Sequence, residues 1–127
     1  MLSDKTAVAC LAVKDMAKAK EFYEGKLGLT AQPGEDQGGV MYKTGASHVF
    51  VYESQFAGTN QATAAAWGVG DDMPEIIDSL KSKGVTFEHY ENMPGVKMEG
   101  DVHVMGKMRA AWFKDPDGNI LNLVNQM

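Results

Sequence analysis

At 127 residues, with hydrophobic side chains making up 44% of them, the chain has the size of one ordinary domain and enough apolar mass for a core that needs no disulfides. Twelve basic against seventeen acidic side chains give a net charge of −5, and no basic cluster appears, which argues against nucleic acid or an anionic membrane as partner. The one cysteine, Cys10, has no second cysteine for a disulfide or a Cys-x-x-Cys site, which fits a reducing compartment.

The first residues, MLSDKTA, carry charge at once and lead into only seven apolar residues, 7–13. That run is too short for a secretory signal and far too short to cross a bilayer, so the expectation is a cytoplasmic protein. Residues 6–13 read as a strand. Asp15 is a candidate N-cap for a helix whose apolar positions Met16, Ala19, Phe22, Tyr23 and Leu27 follow helical spacing, and Gly28 stops it. After the turn-rich residues 33–39, segments 40–43 and 48–54 form a hairpin across Thr44-Gly45-Ala46-Ser47.

A second pass follows the same order. Residues 62–70 read as a strand, a helix enters near Pro74 with Met73, Ile76, Ile77 and Leu80 on one face, and Gly84 stops it. Residues 85–90 read as a strand. Residues 91–107 contain Pro94, three glycines and three methionines, a length that predicts either a functional loop closing over a ligand or a mere connector. The chain ends in RAAWFKDPDGNILNLV, residues 109–124, where two apolar runs flank Asp115-Pro116-Asp117-Gly118, a turn sequence, so a hairpin closes the second half.

Sliding the sequence against itself by 56 positions superposes Val13 on Val69, Asp15 on Asp71, Gly28 on Gly84, Leu29 on Val85 and Thr30 on Thr86. The matched residues hold the same structural roles, which points to two modules, about 6–54 and 62–126, within a single domain spanning 1–127.

The Asp-Pro-Asp-Gly hairpin, together with the helix AVKDMAKAKEFYEGKLGL at residues 12–29, resembles the glyoxalase / bleomycin resistance protein / extradiol dioxygenase superfamily, also called the vicinal oxygen chelate superfamily. The resemblance implies an α+β fold of two βαβββ modules forming one curved mixed sheet. It implies little about reaction, since one such scaffold hosts isomerases, dioxygenases, thiol transferases and binders. Relatives usually associate as homodimers, and an open sheet edge in each module gives the same expectation here.

In the superfamily's metalloenzymes each module supplies one ligand from its first strand and one from its last. By that resemblance the positions here are Val8, Val51, Ala64 and Asn122. Valine and alanine have no donor atom and asparagine is a weak neutral one, so the expectation is no metal site and no cofactor. His48, His89 and His103 share no ligand spacing that would rebuild it, and His48 should face away from the pocket.

Alternation places Val8, Cys10, Ala12, Val49, Val51, Glu53, Ala64, Ala66, Gly68, Ile120, Asn122 and Val124 on the concave face, a small and mostly apolar surface. Trp112 faces the pocket in relatives and could stack on a planar ligand or belong to the core, while Trp67 should lie under the helices. Glu53 is a candidate general base if buried, or else a solvated carboxylate. Cys10 is a candidate nucleophile without an activating partner, or else a small buried hydrophobe. The functional expectation is a metal-free binder of a small, partly apolar or aromatic molecule, contacted by Val8, Cys10, Val51, Glu53, Ala64, Trp112 and Asn122. The alternatives are a metal-independent lyase, isomerase or hydrolase using Glu53 or Cys10, and a partner module that binds no small molecule.

Overall fold

The computed structural model describes residues 1–33 and 39–126, so residues 34–38 of the turn-rich stretch lie outside the described residues. The first half runs β1 (Ala9–Val13), α1 (Met16–Lys20, continued by a π-helical segment Glu21–Lys26), β2 (Thr30–Ala31), β3 (Gly39–Thr44) and β4 (Ser47–Glu53). The second runs β5 (Thr63–Gly68), a 3₁₀ turn (Gly70–Asp72), α2 (Met73–Ser82), β6 (Phe87–Glu88), β7 (Lys97–Glu99), β8 (Val102–Met105), β9 (Met108–Lys114) and β10 (Ile120–Val124). This is the mixed α+β architecture that the sequence predicts.

Local chemistry sets the helix boundaries. Asp15 caps α1, its Oδ1 accepting the backbone N–H groups of Ala17 at 2.9 Å and Lys18 at 3.2 Å. The helix then widens, with the Leu27 N–H reaching back five residues to the Phe22 carbonyl. The sequence reading expected a regular helix there. The wider turn lets the adjacent Phe22 and Tyr23 both enter the core, Phe22 toward Phe113 and Tyr23 toward Tyr42. Gly28 at φ 73° and Gly84 at φ 91° end the two helices in a left-handed conformation that side chains resist.

The first sheet has the order β1-β4-β3-β2 and the second contains β5-β10-β9-β8-β7, with β6 also pairing β9. In each, the first strand runs parallel to the last, β1 beside β4 and β5 beside β10. Leu11, Val13, Val49, Val51, Phe113, Leu121 and Leu123 form one buried cluster with Ala19, Phe22 and Tyr23 of α1 and Met73, Ile77 and Leu80 of α2. Both helices therefore cover the same side of the sheets, and the other side is left without a helix over it.

Residues 91–107 are not the structureless stretch that their length suggests. They hold the β7–β8 hairpin, in register as Lys97↔Val104 and Glu99↔Val102, and β8 continues onto β9 as His103↔Ala110. The glycines that read as loop punctuation serve its turns, while His103, in mid-strand, is completely buried. The strand expected at 85–90 shrinks to the two residues of β6.

A network of buried polar groups ties the halves together. The Tyr23 hydroxyl donates to Asp115 Oδ2 at 2.7 Å, and Asn119 Nδ2 donates to the same oxygen and to the Ala12 carbonyl, both at 2.7 Å. Asp115 Oδ1 accepts the Asp117 and Asn119 N–H groups at 2.9 and 2.8 Å. The turn aspartate is thus a buried carboxylate met by four donors, and it connects α1, β1 and the β9–β10 turn. Burial first, and the Asp115 charge second, push the Tyr23 phenol well above its ordinary range, which keeps it a donor.

Candidate functional site

Strand pairing decides which side chains share the face away from the helices. In the first half Leu11 pairs with Val51 and Ala9 with Val49, so both valines belong to the helix-covered face and Val51 is fully buried there. Cys10 pairs with Phe50 and Ala12 with Tyr52, and β3 adds Met41 opposite Phe50 and Lys43 opposite His48. The expectation of Val49, Val51 and Glu53 on the concave face is therefore corrected by one residue: Phe50 and Tyr52 are there, their rings stacked at 5.8 Å and nearly parallel, and His48 joins them. The strand SHVFVYE is apolar on both faces, so alternation offered no choice between them.

In the second half Asn122 pairs with Trp112 on one side and Ala66 on the other, and these three share the face away from α2. Trp112 is thus placed. Trp67 pairs with Leu123 on the opposite face, under the helices as expected. A register shift between Ile120 and Leu121 leaves Ala64 without a ladder partner, packed against the core.

The remaining sequence candidates separate. Glu53 is exposed at the end of β4 beside Lys14, Ser54 and Gln55, so the burial a general base would need is lacking. Cys10 is exposed rather than a buried hydrophobe, its Sγ facing only the Val8 carbonyl at 3.7 Å. Asn122 is buried, and its Nδ2 donates to the carbonyls of Ala111 at 3.1 Å and Leu123 at 3.3 Å.

Around Trp112 is a group of aromatic side chains that sequence reasoning missed. The His103 ring stands perpendicular to it at 4.8 Å and the Tyr90 ring meets it edge to face at 5.4 Å, while its indole N–H donates to Thr63 Oγ1 at 3.1 Å. The Tyr90 backbone N–H donates to His103 Nε2 at 2.8 Å, so the ring proton sits on Nδ1 and points to the Ala110 carbonyl at 3.2 Å. Desolvation holds His103 below the ordinary histidine value, and His89 presses the same way against the opposing Ala110 carbonyl and Glu91. The Tyr90 hydroxyl is buried without a hydrogen-bond partner among the described residues, and burial raises its pKa.

The donor set available on this face bears on the family's metal site. The positions that the resemblance implies are Val8, just before β1, Val51 on β4, Ala64 on β5 and Asn122 on β10; Val8, Val51 and Ala64 offer no donor atom, and neither does Phe50, the β4 residue that faces away from the helices. Asn122 could offer only its neutral amide oxygen, a weak ligand, while its Nδ2 donates to the backbone carbonyls. His103 has both ring nitrogens engaged by the backbone, and His89 Nε2 is held by Asp101 at 2.8 Å. Among the described residues no three His, Cys, Asp or Glu side chains converge on a point that could hold a metal ion. The residues present do not fit the ion.

A cavity of about 240 Å³ lies on the opposite, helix-covered side, lined by Leu27, Leu29, Thr44, Trp67, Val69, Ile76, Leu80, Phe113 and Leu123. No helix among the described residues is long and apolar enough to cross a membrane.

Comparison with known proteins places this geometry. A glyoxalase family protein from Enterococcus faecalis shares 19% identity with a TM-score of 0.72, over 98% of this chain and 99% of that one. The fosfomycin resistance protein FosX from Listeria monocytogenes, solved with Mn(II) and sulfate, shares 15% at 0.71, over 98% and 91%. Lactoylglutathione lyase from Agrobacterium tumefaciens shares 16% at 0.68, over 96% and 94%. At such identities the likeness is one of fold. No curated protein matches the sequence. The family model for the Glyoxalase/Bleomycin resistance protein/Dioxygenase superfamily matches residues 5–123, and the chain belongs to that superfamily.

Proposed function

We propose that this chain is a metal-free small-molecule binder of the superfamily, holding a partly apolar or aromatic ligand against the sheet face away from the helices. One observation supports the reading: Phe50 and Tyr52 in the first half and Trp112 with His103 in the second crowd the face away from the helices, while Val8, Val51, Ala64 and Asn122, the ligand positions that the resemblance implies, include no good metal donor. Trp112, with Asn122 beside it, supplies a ring surface in the second half, and Phe50 and Tyr52 supply one in the first, next to Cys10 and close in sequence to Val8. The enzyme alternative loses support because Glu53 stands exposed off this face and the one hydrogen-bond partner of Cys10 Sγ among the described residues is the Val8 carbonyl. The protein acts as a homodimer, the partner closing what one chain leaves open, and sedimentation at micromolar concentration checks this.

The test is a thermal-shift screen over aromatic acids, antibiotics and thiol conjugates, read beside elemental analysis of protein never exposed to chelator. A hit whose shift is lost in Trp112→Ala, in protein without stoichiometric metal that Zn²⁺, Ni²⁺, Fe²⁺ and Mn²⁺ do not stabilise, supports the reading. Near-stoichiometric metal would overturn it.

A further inference from the structure

The cavity on the helix side is the least explained volume in the molecule. It lies where the two halves meet, with Leu27 and Leu29 leaving α1, Thr44 ending β3, Ile76 and Leu80 on α2, and Trp67, Phe113 and Leu123 on the strand faces under the helices. Nothing in the proposed use of the other sheet face requires it.

Its walls specify what would fill it. None of the nine lining side chains titrates. Of the two that carry polar atoms, the Trp67 indole N–H donates to Thr44 Oγ1 at 2.9 Å, which uses the indole's one donor. That bond fixes the indole and leaves its ring as a wall. A charged ligand would surrender its hydration here and find no counter-charge, so the electrostatic match is to a neutral molecule. Size sets the other limit. A sealed apolar cavity of roughly 150 Å³ lined by Leu, Ile and Phe takes up benzene, whereas this one is a cleft with an open mouth, floored by the buried Leu80, Phe113 and Leu123 and rimmed by half-buried residues. At about 240 Å³ this one has room for a ring carrying a short alkyl chain.

We infer that this cavity is a second binding site, separate from the open face, for a small uncharged apolar molecule such as an alkylbenzene. The site is partly built by each half of the chain, so its occupant bridges α2 and the segment that follows α1. Trp67, Phe113 and Leu123 also alternate along their strands with Ala66, Trp112 and Asn122, so an occupant presses on the reverse of the strands that form the other face.

The experiment uses toluene, with benzylammonium as the charged analogue of similar shape. Toluene at about ten times its dissociation constant is expected to raise Tm by roughly 5 °C, saturably, and benzylammonium to leave it unchanged. Methyl NMR of the unaltered protein should show toluene shifting Leu27, Leu29, Ile76 and Leu80 while Val8 and Ile120 stay still. Ile76→Phe, which places its own ring in the space, should weaken the toluene response at least tenfold. No saturable shift, an equal shift with benzylammonium, or methyl changes centred on Val8 and Ile120 would each overturn the inference. The methyl map stands without the variant if Ile76→Phe fails to fold. Failure here leaves the open-face reading intact, because that reading depends on Trp112.

Discussion

Replacing Tyr23 by phenylalanine removes one oxygen and almost nothing else, since the ring keeps its stacking on Tyr42 and its edge contact with Phe22. The lost interaction is a 2.7 Å hydrogen bond to a buried carboxylate, the kind worth roughly 1.5–3 kcal/mol. Three donors would still hold Asp115, Asn119 Nδ2 on one oxygen and the Asp117 and Asn119 N–H groups on the other, so the charge is not stranded. The cost should therefore fall in the lower half of that range, about 1.5–2 kcal/mol. Urea unfolding with an unchanged m-value reads it directly. Tyr42→Phe is the internal control, because its hydroxyl donates to Glu24 at 2.8 Å in a half-buried setting, and it should cost less, about 0.5–1 kcal/mol. A double-mutant cycle with Asp115→Asn then isolates the pair: once the carboxylate is an amide, Tyr23→Phe should cost at least about 1 kcal/mol less than in the parent. A Tyr23→Phe protein within about 0.5 kcal/mol of the parent, or one equally destabilised in both backgrounds, would refute the claim that this bond fastens α1 to the closing hairpin.

Three further outcomes follow from named contacts. His103 is buried and neutral with both ring nitrogens committed, and its pKa lies below the ordinary value of 6.5, so the unfolded chain binds the extra proton. Its contribution to stability is complete above about pH 6.5 and is lost as pH falls through the lowered value, and His103→Gln should flatten that part of the stability–pH curve. Asp101, held below the usual carboxylate value by His89 and then Lys81, pins the β7–β8 hairpin to the end of α2. Asp101→Asn should cost under about 1 kcal/mol, since the partners are half exposed, yet speed amide exchange at Val102–Met105; unchanged exchange would deny the pinning. Gly39→Ala should destabilise by about 1–3 kcal/mol, because a β-carbon there meets the Val51 carbonyl oxygen at 2.5 Å and the Phe50 ring at 2.7 Å, and a neutral result by urea titration would mean the strands yield.

What the sequence discloses and what it conceals divide along chain distance. Asp15 caps its helix two residues on, and the Asp-Pro-Asp-Gly turn folds within five residues, so both were legible as local chemistry. The β7–β8 hairpin was not, because its strands are three and four residues long and turn at Gly100, which makes them indistinguishable in composition from a loop. Tyr23 and Asp115 are 92 positions apart, and nothing near either residue announces the other. The candidate site failed at an intermediate scale. The strands β1, β4, β5, β9 and β10 were found, but β4 presents valines to one face and aromatic rings to the other, and only its parallel register with β1 decides that Val51 goes inward with Leu11 while Phe50 goes outward with Cys10. A shift of one residue in that register would exchange the two sets, turning aromatic surface into core and core into surface. Leu11 resolves the choice physically: it is fully buried in the cluster that includes residues of both helices, and parallel pairing then carries Val51 inward with it. The aromatic character of the outward face is thus a consequence of where the first helix packs.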